Sequence, residues 1–206
     1  TEIYTLSLHD ALPILLLSGP AVSQDARAWA AGNLGAPDAV VRDAARRILA
    51  GSGARAELLE AIGSSCWRTR EGALAALAWS AEPPPAADLR ALASDPDWPV
   101  RRALALLWGW HRLGRDVPQR LLEDPFHDGR VAAVRALAAQ PGPPAPELAR
   151  ALLDRAAPVR QAACHALICA PRQLRLETLP EEAGGLARRR TLRALATRPT
   201  DRKSGV

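Results

Sequence analysis

The side chains that recur in this chain at spacings fit for chemistry are arginines and tryptophans, and their chemistry is recognition rather than bond-making. Arginine forks grip carboxylates and phosphates. Tryptophan supplies the flat apolar surface that interface hot spots favour and on which unpaired bases stack. The usual instruments of catalysis are scattered. Cys164 and Cys169 have four residues between them, without the spacing or partners of a zinc site. His111, His127 and His165 fall in three different stretches, and no HExxH motif joins them. Gly51-Ser52-Gly53 is a glycine-rich turn, but no strand precedes it and no Lys-Ser or Lys-Thr follows, so it lacks the parts of a phosphate loop. No GxSxG elbow occurs. Asp95 and Asp97 stand two apart and suit turn and cap positions. The sequence is therefore read as that of a non-enzyme, with no catalytic residue, metal ligand or cofactor expected.

The arginines set the order of the chain. Arg42, Arg70, Arg101, Arg130 and Arg160 follow one another at intervals of 28, 31, 29 and 30 residues. A fixed period in this range marks a solenoid, in which one helical hairpin stacks on the next. Each arginine opens the same pattern: VRDAARRIL, TREGALAAL, VRRALALLW, GRVAAVRAL and VRQAACHAL. Small or apolar residues lie 2, 3, 6 and 7 positions after it, as in Ala103, Leu104, Leu107 and Trp108. Those offsets differ by 3 or 4, so they share one helical face. This is helix A of each unit.

A shorter helix B runs through ELLEAI, ADLRAL, PQRLLE and LARALL, where Glu60, Arg90, Arg120 and Arg150 recur 30 residues apart. Prolines at 82–86 and 141–146 stop helix A and stiffen the turn to helix B. The return turns, SDPDWP, EDPFHD and LDRAAP, carry aspartates suited to capping helix starts. A sixth, degraded copy begins near Arg188, with Ala194 and Leu195 as its late apolar pair. The expected fold is all-α: a right-handed α-solenoid of about five to six stacked two-helix repeats.

The run from Asp95 to Leu107 resembles the HEAT-like repeats first described in phycobilisome lyase subunits. Asp95, Pro96, Val100, Arg101 and Ala103 carry the match. Asp154, Pro158, Val159, Arg160, Ala162, Ala163, Ala166 and Leu167 repeat it, and the likeness covers roughly residues 37–197. It is specific for fold and weak for function, because that fold hosts scaffolds, lyase subunits and DNA glycosylases alike. The resemblance implies that the helix-A arginines pair with aspartates of their own or an adjacent turn; Asp38, Asp95, Asp97, Asp124 and Asp154 are the candidates. Exposed pairs of that kind are each worth about 0–1 kcal/mol, so their use would be register more than stability. It also implies that helix B lines the concave side.

The two ends fit neither the period nor the composition. Residues 1–14, TEIYTLSLHDALPI, resemble a translated sequencing adapter, and residues 201–206, DRKSGV, begin like its reverse complement. The single lysine, Lys203, and the single tyrosine, Tyr4, lie in these ends. The expected organisation is an adapter-like segment at 1–14, an N-terminal helical segment at 15–36, the repeat solenoid at 37–200 and an adapter-like tail at 201–206. The chain is then expected to be an internal piece of a longer reading frame. Leu15 to Ser23 is the one stretch that could be the remnant of an export signal, and it is too short to span a bilayer.

With 27 basic and 22 acidic residues the chain carries net +5. Without the two ends 25 basic residues face 19 acidic ones, net +6. That balance is modestly basic and lacks the clustered charge of an obligate nucleic-acid binder. Three cysteines are an odd and sparse set, so a reducing compartment, the cytoplasm, is expected, with export as the alternative if Leu15–Ser23 is a signal remnant.

Two sets of residues are candidates for binding. Arg90, Arg120 and Arg150 are expected to be unpaired along their own helices, Glu147 before Arg150 excepted, and to form a positive stripe at intervals of about 10 Å, one per helix layer. Trp67 and Trp98 each precede their repeat arginine by three residues, with His127 in the same slot of the next repeat; Trp79 and Trp110 each follow it by nine. Trp108 fills a leucine slot and is read as core. The function expected is a protein-interaction scaffold that binds an acidic or extended partner protein or peptide on its helix-B face. The alternative is a HEAT-like enzyme or nucleic-acid-binding protein of the glycosylase or bilin-lyase type. No membrane partner is expected.

Overall fold

In the computed structural model, residues 22–141 and 146–169 are described, and every regular element among them is helical. The chain alternates long and short helices: α1 (Gln24–Asn33), α2 (Ala39–Gly51), α3 (Arg55–Ile62), α4 (Trp67–Ala78), α5 (Ala86–Leu89) with a 3-10 turn at Arg90–Ser94, α6 (Trp98–Trp110), α7 (Asp116–Leu121), α8 (His127–Ala139), α9 (Pro146–Ala151) and α10 (Ala157–Cys169). The long elements α2, α4, α6, α8 and α10 are the expected A helices, and the short ones between them the B helices. The adapter-like ends and the copy near Arg188 lie outside the described residues. These residues form two compact units, one up to Leu89 and one from Arg90 onward.

Alanine content makes the A helices, and their periodic face buries them. In the first unit Ala45, Leu49, Ala73, Ala76 and Leu77 are fully buried, as are Ala30 and Leu34 at α1. In the second, Leu104, Leu107, Trp108, Ala133 and Val134 are sealed from solvent. Val134, Leu137, Leu148, Leu152, Val159, Ala163 and Leu167 continue that core through α8, α9 and α10, with Cys164 packed at its margin as a small hydrophobe. Small residues let the backbones close up. A Cβ on Gly109 of α6 would lie 2.7 Å from the Ala136 Cα of α8, so no larger residue fits that crossing.

The helix-A arginines hold the repeats together, and they do so from inside. All five use one nitrogen, Nη1, to donate to two main-chain carbonyls of their own preceding turn. Arg42 reaches Ala36 and Pro37 at 2.6 and 2.8 Å, Arg70 reaches Ser64 and Ser65 at 2.9 and 3.0 Å, and Arg101 reaches Asp95 and Pro96 at 2.7 and 3.1 Å. Arg130 and Arg160 repeat this on Asp124 with Pro125 and on Asp154 with Arg155. In the second unit the other face of the guanidinium reaches one repeat ahead. Arg101 donates Nε and Nη2 to the two oxygens of Asp124 at 2.7 and 2.9 Å, and Arg130 does the same to Asp154 at 2.7 and 2.9 Å.

Each such aspartate serves three masters. Its carbonyl accepts from its own repeat's arginine and its carboxylate from the previous one. Its Oδ1 also takes the N–H two residues on, Phe126 at 2.8 Å for Asp124 and Ala156 at 2.7 Å for Asp154. Gly129 makes room for this: a Cβ there would fall 2.6 Å from the Asp124 carboxylate. In the first unit the matching turn position is Ser64, whose hydroxyl accepts from Cys66 N–H at 3.2 Å. There the repeats are tied by the Arg46–Glu71 pair, and by Arg55, which donates to Glu82 at 3.3 Å and to the Pro83 carbonyl at 3.1 Å.

Two expectations change. The arginine–aspartate pairs exist, but they are not surface pairs: the Arg101 and Asp124 side chains are 9% and 0% exposed, those of Arg130 and Asp154 6% and 14%. Removing one partner therefore costs more than breaking a surface pair, because it strands a buried charge. Nor are most of the turn aspartates helix caps. Asp38 caps α2 by accepting from Val40 N–H at 2.7 Å, whereas Asp124 and Asp154 act ahead of the helix, within the turn. The opposite end of the second unit's repeat has its own clasp in Gln140, 6% exposed. Its Nε2 donates to the carbonyls of Ala136 and Trp108 at 3.1 and 3.4 Å, and its Oε1 accepts from Gly114 N–H at 3.0 Å.

Asp124→Ala is expected to destabilise the protein by about 3–5 kcal/mol, the usual cost of orphaning a buried ion, read from the urea midpoint. An apolar pair of similar volume, Arg101→Met with Asp124→Leu, should recover only part of that loss, because it leaves the Asp95 and Pro96 carbonyls and the Phe126 N–H without these partners. Burial raises the Asp154 carboxyl, but the Arg130 fork and the Ala156 N–H outweigh it and hold the group below the ordinary carboxylate range. Its stabilising effect is then complete above about pH 4, the unfolded value, and is lost as pH falls through the lower folded-state value. Asp154→Asn should flatten that acid limb in a pH series of unfolding midpoints. Gly109→Ala should cost about 1–3 kcal/mol through overpacking, despite the roughly 1 kcal/mol that alanine gains in helix propensity.

Candidate functional site

Helix B of the second unit presents the arginines whose register suggested a binding stripe: Arg90 in the 3-10 turn, Arg120 on α7 and Arg150 on α9. All three are exposed, and they differ in what they hold. Arg90 is not unpaired. Its Nε donates to Asp116 Oδ2 at 2.7 Å, and its guanidinium carbon sits 5.8 Å from the Trp108 ring centroid. Asp116 stands four residues before Arg120, the spacing of an in-helix ion pair, yet its carboxylate turns to Arg90 in the preceding repeat. Burial raises the Asp116 carboxyl; the Arg90 hydrogen bond and the Val117 N–H together bring it below the usual range. Arg120 donates Nη2 to Ser94 Oγ. The Arg150 guanidinium has no hydrogen-bond or ion-pair partner among the described residues.

Arg150 stands at the edge of a cleft of about 540 Å³ between α7 and α9 and their following turns. Leu122, Pro125, Ala151 and Val159 give it an apolar floor, and Arg155, Glu123, Glu147 and Gln119 share its walls. Gln119 Nε2 donates to Glu147 Oε1 at 2.8 Å, tying α7 to α9. Arg155 donates Nη2 to the Pro125 carbonyl at 3.3 Å. The clamped residues Asp124, Arg130 and Asp154 form the inner wall, their charges already spent on one another and on Arg101.

The tryptophans divide by depth. Trp67, in the first unit, is half-buried and carries the Arg68 guanidinium 4.7 Å from its ring centroid. Trp98, in the second, is half-buried and stacks on Phe126, with centroids 5.8 Å apart and planes 24° from parallel. Phe126, not His127, is thus the aromatic neighbour of Trp98 in the next repeat. Phe126 also lies 6.0 Å from the Arg101 guanidinium and covers the buried clamp. Trp79 and Trp110 are 36% and 54% exposed, and Trp108 is fully buried as core. No group of three or more His, Cys, Asp or Glu among the described residues is placed to hold a metal ion. None of their helices is long and apolar enough to cross a membrane.

Stacked helical hairpins locked by arginine rungs define an α-solenoid repeat protein. Residues 26–107 match the model of the family described as HEAT repeats, which supports the HEAT-like resemblance read from the sequence. Two solved structures share the fold. The Escherichia coli protein YibA superposes with a TM-score of 0.64 at 16% identity, over 95% of this chain and 77% of its own. A designed armadillo repeat protein, solved with the peptide (KR)4, superposes with a TM-score of 0.54 at 16% identity, over 84% of this chain and 99% of its own. No curated protein sequence matches the chain.

Arg90→Ala is expected to change stability by no more than about 1 kcal/mol, because both partners of its pair are half-exposed. Thermal unfolding would check it, and a loss as large as that of Asp124→Ala would show that Arg90 belongs to the structural set.

Proposed function

We propose that this protein is a non-enzymatic interaction scaffold that takes an extended acidic segment of a partner protein along helix B of its second unit. The observation that carries the reading is Arg150: a guanidinium exposed beside an open cleft, with every nearby aspartate already committed. Arg120, with one bond to a serine hydroxyl, keeps the rest of its fork free for a partner carboxylate. Arg90 plays a smaller part, since Asp116 neutralises it. The designed armadillo protein supports this mode of use, because its peptide is a simple charged repeat. That peptide is basic; here the exposed helix-B charges are arginines, so the partner's sign is reversed. Trp110, exposed on the same unit, is of the residue type that dominates interface energetics.

Fluorescence anisotropy with labelled acidic peptides, basic peptides and single-stranded DNA, each across a salt series, tests this. Binding of acidic peptides that weakens with salt and falls about a hundredfold in Arg120→Ala/Arg150→Ala, as expected for loss of two charge-assisted bonds, would support it. Preferential DNA binding with a steep salt slope would overturn it in favour of a nucleic-acid protein.

A further inference from the structure

The cleft between α7 and α9 has a second unusual group besides Arg150. Glu147 Oε1 is satisfied by Gln119, but Oε2 is buried and has no hydrogen-bond partner. A buried acceptor of this kind marks a place where a donor belongs. Arg150 has the opposite need, a cation without an anion, and Arg155 on the same wall spends one N–H on a carbonyl and keeps four. The charges left over once the clamps are counted are Arg150 and Arg155 against Glu123 and Glu147, which cancel. One carboxylate can enter beside the arginines; a second, or a phosphate dianion, would meet the two glutamates.

We infer that this cleft seats a single acidic side chain of an extended partner segment on Arg150 and Arg155, and that Glu147 turns its buried Oε2 into the cleft to accept a main-chain N–H from the same segment. The inference rests on the helix-B reading above and sharpens it. Glu147 reads the backbone and Arg150 with Arg155 the side chain, and both line one cleft. The aliphatic stem of the acid lies on Leu122 and Ala151. Adjacent acids are disfavoured, so the preferred partner spaces its carboxylates with neutral residues. In an extended chain rising about 3.3 Å per residue, a layer spacing near 10 Å corresponds to roughly three residues.

The test is a set of labelled ten-residue peptides on the full chain. One has glutamate at every third position among neutral residues. A second has the same number of glutamates in one run, a third has phosphoserine in place of the central glutamate, and a fourth is the spaced peptide N-methylated next to that glutamate. The spaced peptide should bind best. Arg150→Ala should weaken it about tenfold and Glu147→Ala about fivefold, the scale of single charge-assisted hydrogen bonds. N-methylation should cost wild type the same fivefold and cost Glu147→Ala nothing further. Charge alone gives the opposite sign for Glu147, because removing a carboxylate beside an acidic ligand should tighten binding. Tighter binding by both Glu147→Ala and Glu147→Gln, or indifference to N-methylation, would overturn the cleft assignment while leaving the acidic-partner reading standing. Equal or better binding of the glutamate run or the phosphopeptide would overturn it too. If no acidic peptide binds at all, both readings fall. Circular dichroism and unfolding midpoints of each variant separate lost binding from lost fold.

Discussion

Everything in the second unit depends on a fork of nitrogen atoms meeting a carboxylate out of contact with water. Arg101 and Asp124 are individually poor candidates for burial, since each alone would have to leave water without compensation. Together with two carbonyls and one turn N–H they satisfy nearly every hydrogen-bonding position they own. The turn between helices, which cannot bond to itself as a helix does, borrows its partners from the arginine. The aspartate then sets where the next hairpin lies. Gly129 and Phe126 belong to the same arrangement, one by leaving space for the carboxylate and the other by covering the guanidinium.

Because the clamps consume the turn aspartates, they also determine what is left for a partner. Helix-B arginines on a surface rich in free carboxylates would be neutralised at home. Here Asp124 and Asp154 are withdrawn into the interior, and Arg150 faces a cleft whose remaining charges balance. On the proposed reading, stability and recognition are linked through the same acids. The scaffold fold is shared with YibA and with the designed armadillo protein, but the charges that would choose a partner belong to this chain.

What was legible in the sequence was whatever repeats. The period, the buried face at offsets 2, 3, 6 and 7 and the short B helices all follow from register, and the pairing of the arginines followed from the resemblance to HEAT-like repeats. Depth was not legible: the pattern VRRALALLW places Arg101 at the edge of the apolar face, and only the approach of the next turn encloses it. Residues without counterparts in other repeats were missed as well. Phe126, Gln140 and Gly129 have no periodic partners, although a lone phenylalanine in a turn that otherwise repeats was a usable signal. Asp116 shows the limit most plainly. The residues 30 before and 30 after it are Ala86 and Pro146, so the ion pair that separates Arg90 from Arg120 and Arg150 exists in one repeat alone. Three arginines in identical register therefore meet three different surroundings.

The reach of each arginine has a consequence for how such a chain forms. Among the described residues, the clamps in the second unit join residues 23 or 24 apart, and the Gln140 clasp joins residues no more than 32 apart. These described ties are thus of one-repeat range. Closing them never requires a loop longer than a hairpin, so lengthening the array leaves the mean sequence separation of its contacts unchanged. A copied repeat arrives with a carboxylate for the arginine before it and an arginine for the turn after it. An array wired this way can grow by duplication without inventing a new contact.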